Sequence, residues 1–177
     1  MNKISLFVVA SAGVAALAGA AAWKFLQPST DRFAACSTSS VAGATIGGPF
    51  TLVDETGATV TEAEVLTKPS LVYFGYTFCP DVCPTALFEV SEILSKLGPD
   101  ADKARALFVT VDPERDTVSK MKDYLSSFDP HLIGVTGEPD DVAKMLKAYR
   151  VYAKKVPTDS GYTMDHTALV YLMDKQG

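Results

Sequence analysis

The chain has 177 residues and a formal charge of -5, with 47% hydrophobic and 21% charged residues. That is enough for one globular core plus an additional apolar segment. Two of its 16 basic residues, Lys3 and Lys24, flank the N-terminal apolar run, so the remainder sets its other bases against all 21 acids. It carries no basic stripe, and such a surface repels nucleic acid, which is excluded as a partner.

From Ile4 to Trp23 the sequence ISLFVVASAGVAALAGAAAW holds no charge. At ~1.5 Å per residue it reaches about 30 Å, the thickness of a bilayer core. A cleaved signal peptide would have a shorter apolar core, with Ala20-Ala21-Ala22 as its cleavage site. The full length and the boundary Trp23 favour an uncleaved anchor over residues 1–27. The flanking charges leave its orientation open. Residues 28–45, rich in Ser, Thr, Ala and Pro, read as a flexible linker. Cys36 lies in this stretch, separated from the apolar run by Asp31 and Arg32, and reads as a linker residue rather than a lipid-modified one.

A domain is expected over 46–177. FTLVDETGATV predicts a hairpin turning at Asp54 to Gly57. SLVYFGYTF, Ser70 to Phe78, is almost wholly apolar and predicts a strand buried on both faces. ALFEVSEILSKLG spaces Leu87, Val90, Leu94 and Leu97 for a helix ended by Gly98 and Pro99. A second buried strand follows over Ala106 to Asp112, then an amphipathic helix capped by Asp116 or Thr117. HLIGVTG predicts a short strand. EPDDVAKMLKAYRV predicts a helix with acids first and bases last. HTALVYLMD, His166 to Asp174, predicts a final core strand of the same sheet. Strands alternating with helices indicate a three-layer α/β domain. The sequence stops at Gly177 in what reads as a hairpin turn, which predicts an edge without its partner and an incomplete C-terminal end.

Chemistry concentrates in YTFCPDVCPT, Tyr76 to Thr85. Cys79 follows a strand and Cys83 begins a helix, where Pro84 suits the first helical position. Four residues apart, their sulfurs share a face, and the helix N-terminus favours thiolates. A stapling disulfide would close a very small loop, where the entropic gain is least. A redox pair stays open, although three residues rather than the usual two separate the cysteines. A peroxidase using Cys79 would leave Cys83 idle.

His131 lies in a loop far from any cysteine. His166 starts a strand whose end faces the same region, and it completes a donor set of two thiolates and one imidazole. Structural zinc requires a fourth ligand, for which Asp81 or Asp165 is available. Cu(I) takes soft sulfur donors at low coordination number, and Mg or Ca would need oxygen ligands. Copper leads and zinc trails.

GYTFCPDVCPT, VTVDPERDT and DHTALVYLMD resemble the three signature stretches of the SCO/SenC family of copper chaperones for cytochrome c oxidase. The resemblance covers about residues 46–177. It implies a thioredoxin-like fold, tethered by one transmembrane helix, with copper held by Cys79, Cys83 and His166 as Cu(I) or also Cu(II). It further implies action on the binuclear copper A site of oxidase subunit II, by delivering copper from a donor protein, by reducing that site's cysteines as a thiol–disulfide oxidoreductase, or both. The implied orientation is N-terminus inside. With no presequence, the expected location is a bacterial cytoplasmic membrane, the domain facing the periplasm.

Overall fold

The computed structural model describes residues 46–175. The anchor over 1–27, the linker to residue 45 and Cys36 lie outside the described residues. Among these residues no helix is long and apolar enough to cross a membrane.

A hairpin opens the domain, with β1 at Thr51–Asp54 and β2 at Thr59–Thr61. Asp54 closes the expected turn by accepting hydrogen bonds from the Thr56 and Ala58 amides at 2.9 and 3.0 Å. A single helical turn, α1 (Glu62–Val65), leads into β3 (Ser70–Gly75). Then come α2 (Val82–Leu97), β4 (Arg105–Thr110), α3 (Val118–Leu125), β5 (Leu132–Thr136) and α4 (Pro139–Ala148). Thr117, one of the two expected caps, accepts from the Lys120 amide at the start of α3. The chain ends in β6 (Ala153–Thr158), β7 (Gly161–His166) and β8 (Val170–Met173).

Six strands form one sheet in the order β2-β1-β5-β4-β3-β8. The central β5, β4 and β3 run parallel, and β1 and β8 flank them antiparallel. Alternation along β3 divides its side chains between two helical layers. Tyr73 stacks on Phe108, which meets Tyr124 of α3, on the face also covered by α2. Phe74 points the other way, against Tyr149 at the end of α4. This is the expected three-layer arrangement. Cys83, Leu87, Val90 and Leu94 are the buried stripe of α2, at the spacing a helix requires. Each of the three aliphatic side chains among them, fully buried, contributes roughly 1.5–3 kcal/mol.

Several expectations need correction, among them the second buried strand, which ends at Thr110 rather than Asp112. β3 stops at Gly75 rather than Phe78, because the next residues turn: the Cys79 amide donates to the Tyr76 carbonyl at 3.2 Å. Leu97 is exposed, since the chain leaves the helix at Gly98 with φ +54°, and the apolar stripe ends at Leu94. The largest correction concerns His166. It does not begin a strand of the main sheet. It ends β7, in a separate two-stranded sheet with β6 that the sequence reading missed. The main sheet resumes only at Val170, where β8 pairs with Tyr73 of β3. As expected, β8 is an edge strand, with Leu172 exposed.

Candidate metal centre

Cys79 sits in the turn after β3, and Cys83 is the second residue of α2. Pro84 therefore occupies the third helical position rather than the first, still among those whose amides have no intrahelical acceptor. The helix start folds back on the turn so that the Cys83 amide donates to the Cys79 sulfur at 3.4 Å. Both thiols are free. From the other side β7 delivers His166, whose Nε2 lies 3.5 Å from the Cys83 sulfur. One ligand atom from each of Cys79, Cys83 and His166 falls within 4.8 Å of the other two. The structure thus brings together the three residues that the sequence singled out.

The imidazole is aimed by its other nitrogen. Nδ1 lies 3.0 Å from the Thr167 carbonyl, which can only accept, so Nδ1 carries the proton. Nε2 is then the lone pair facing the sulfurs, the usual arrangement behind a metal-binding histidine. Tyr73 and Tyr76 meet the ring edge-to-face at centroid distances of 6.4 and 5.7 Å. Neither tyrosine stood out in the sequence. Strand alternation, which puts Tyr73 and Gly75 on the side facing α2, was the available signal.

The two thiols differ. Burial works against ionising Cys79, yet amides at the helix start, led by Asp81 and Cys83, bring its thiol below the ordinary value. Cys83 is fully buried, and desolvation pushes its thiol up to about 12 despite help from the Tyr76 backbone. The Tyr73 hydroxyl donates to the Cys83 sulfur at 3.7 Å. One sulfur is partly exposed and more easily ionised than an ordinary thiol, and the other is sealed and protonated until something replaces its proton.

Asp81 and Asp165 do not join the cluster. Asp81 is exposed at the residue before α2, its side chain making no capping hydrogen bond, and exposed Asp165 faces Lys154 across the hairpin. With no carboxylate among the grouped ligand atoms, the centre is a soft three-donor S,S,N set, which suits Cu(I) better than four-coordinate zinc. His131 is elsewhere, between Asp129 at 2.7 Å and Asp102 at 3.4 Å.

The SCO1/SenC family model matches residues 38–177. The chain belongs to the SCO1/SenC family. It is 43% identical over 170 residues to Protein SenC of Rhodobacter capsulatus, covering 94% of this chain and 77% of that one. It is 40% identical to the mitochondrial SCO1 homolog 1 of Arabidopsis thaliana, covering 77% of this chain and 42% of that protein. The chain thus spans less than half of that plant relative. Among solved structures, Bradyrhizobium japonicum ScoI with copper bound is 63% identical with a TM-score of 0.73, covering 75% of this chain and 85% of that one. Yeast Sco1 with copper bound is 40% identical with a TM-score of 0.67, covering 75% of each chain. The fold is the α/β, thioredoxin-like fold of these SCO proteins.

Space behind the sulfurs is tight. A Cβ on Gly75 would lie 2.8 Å from the Cys83 sulfur and 2.8 Å from the Phe108 ring. Gly75→Ala is therefore expected to destabilise the domain by about 1–3 kcal/mol, the usual cost of overpacking a core. Thermal denaturation of the variant beside the parent measures it, and an unchanged melting temperature would contradict this packing.

Proposed function

We propose that this chain is a membrane-anchored copper metallochaperone that assists assembly of the binuclear copper A site of cytochrome c oxidase. Residues 1–27 hold it in a bacterial cytoplasmic membrane with the folded domain in the periplasm. Oxidase subunit II is the acceptor, and a separate copper protein is the donor. The observation that carries this reading is the convergence of two thiol sulfurs and one imidazole nitrogen within 4.8 Å. Support comes from relatives of 63% and 40% identity that were solved with copper bound.

Cys79, Cys83 and His166 hold Cu(I) as cargo. Three ligands leave room for an incoming thiolate, so transfer proceeds by stepwise exchange, with the partly exposed Cys79 released before the buried Cys83. The proton that Cys83 carries at neutral pH leaves when copper arrives and returns when copper departs.

A second reading rests on the unequal thiols. Cys79, partly exposed and with its thiol held below the ordinary value, is placed to attack a disulfide of the acceptor as a thiolate, giving a mixed disulfide and releasing one acceptor thiolate. Cys83 then loses its proton and attacks Cys79, freeing the acceptor dithiol and leaving a Cys79–Cys83 disulfide. Two electrons pass to the acceptor.

An anaerobic Cu(I) competition titration on the reduced full chain in detergent tests the first reading. Tight one-to-one binding is expected, and it should vanish once the pair is oxidised, since the disulfide removes both thiolates. Weak binding together with rapid reduction of a disulfide peptide would shift the function to thiol exchange.

A further inference from the structure

The β6–β7 hairpin carries His166 but shares no ladder with the main sheet, whose β3 leads into the cysteine-bearing turn and helix. Something else must fix the distance between them, and the loop after β4 supplies it. We propose that Asp112 and Arg115 are positioning residues of the metal centre, clamping the histidine-bearing hairpin to the cysteine-bearing loop. This rests on the reading of Cys79, Cys83 and His166 as copper ligands.

Arg115 touches both halves. Its guanidinium lies over the Tyr162 ring of β7 at 3.7 Å, and over the ring of Phe78, the residue before Cys79, at 4.8 Å. Its Nη1 donates to the Tyr162 carbonyl at 3.0 Å, and its Nε donates to the Asp112 carboxylate. The same carboxylate, fully buried, accepts from the Tyr162 hydroxyl at 2.9 Å. Nη2 is buried without an acceptor, so the hold rests on Nε, Nη1 and the aromatic faces. A planar fork over π-faces is a role lysine cannot fill.

Two neighbouring contacts close the same seam. Glu114 pairs with Lys155 of β6 at 2.5 Å, and the Tyr76 hydroxyl meets Thr163 of β7 at 2.8 Å. Tyr162 lies four residues before His166 on one strand, so tilting the hairpin at Tyr162 moves the imidazole relative to the sulfurs. The cysteines themselves are held by α2 and the β3 turn and do not depend on this clamp.

The test uses the full chain in detergent, with Arg115→Lys as the main variant and Tyr162→Phe, which loses only the hydroxyl bond to Asp112, as a milder second one. In the metal-free protein, amide exchange over residues 153–166 is expected to quicken at least tenfold in Arg115→Lys, with exchange over β3 and β4 unchanged. Cu(I) affinity is expected to fall about 10–100-fold, the size of outer-shell effects. X-ray absorption at copper should show the nitrogen scatterer reduced and both sulfurs retained. The deciding comparison is the double variant with His166→Ala: a clamp acting through His166 adds nothing to that loss, whereas a general structural role adds its full effect.

Unchanged hairpin exchange in Arg115→Lys overturns the clamp, as does an additive double variant. If β3 and β4 exchange also quickens in Arg115→Lys, the substitution is global, and the same measurements on Tyr162→Phe decide. Should the parent chain bind no Cu(I), the copper reading falls separately, and hairpin exchange alone still decides the clamp.

Discussion

Cys83→Ser is expected to abolish tight Cu(I) retention, a loss larger than that caused by any other single substitution at the centre. Cys83 is fully buried, its sulfur lies 3.5 Å from His166 Nε2, and it receives the Tyr73 hydroxyl. A serine there offers a hard oxygen that does not ionise near neutral pH, so the soft ion loses both a donor and a charge. Cys79→Ser should be nearly as severe. His166→Ala removes a neutral donor and keeps both thiolates, so its loss is expected to be smaller, about 10–100-fold, comparable with disturbing a metal ligand's support. The competition titration that measures these losses should also be run across pH. The Cys83 thiol, held up to about 12 by desolvation, enters the reaction protonated. Copper must displace at least that proton, so apparent affinity is expected to rise at least about tenfold per pH unit through the neutral range. An order in which His166→Ala outweighs Cys83→Ser, or a flat pH profile, would contradict the assignment of ligands.

The candidate ligands were legible because each belongs to a short pattern with a local physical meaning. Cys79 and Cys83 announce themselves by their spacing at a strand-to-helix junction. His166 was named by elimination between two histidines and by a family motif. How His166 reaches the sulfurs was not legible. AKKVPT, the sequence of β6, mixes lysines with a proline, and all of it beyond Ala153 is exposed. A strand with neither face buried has no alternation to detect. The run HTALVYLMD then concealed the break at residues 167–169, because its apolar residues continue from the hairpin into β8. The clamp was hidden for a different reason. VDPERDT marked the family, but nothing local shows that Arg115 will lie over a ring 47 residues later. Asp116 looked like a helix cap; the structure gives that task to Thr117 and buries the aspartate.

That buried aspartate carries the largest stability effect expected outside the apolar core. The Asp116 carboxylate accepts from the Thr77 amide at 3.1 Å, the Thr77 hydroxyl at 2.6 Å and the Thr110 hydroxyl at 2.7 Å. Its backbone carbonyl accepts from the Thr136 hydroxyl at 2.7 Å. One residue thus joins the ends of β4 and β5 to the turn that leads to Cys79. Asp116→Ala strands several interior donors, each worth about 1–3 kcal/mol and not additive; a net loss of about 3 kcal/mol is expected. Denaturant unfolding of the metal-free chain measures it. Asp116→Asn keeps an acceptor and should cost less, and its penalty should vary with pH in a defined direction. Burial raises the Asp116 pKa in the folded state above its ordinary 3.8, although the hydrogen bonds oppose the shift. A carboxyl whose folded pKa is raised binds more protons folded than unfolded, so its contribution to stability falls as pH rises from 3.8 through the raised value. The amide has no such titration. The penalty of Asp116→Asn relative to the parent should therefore be largest in acid and shrink toward neutral pH. A penalty that instead grows with pH would mean that the carboxylate is stabilised by its partners more than burial disfavours it. Asp116 would then join the cysteine turn to β4 as a charge, and the same loop would hold both halves of the metal centre electrostatically.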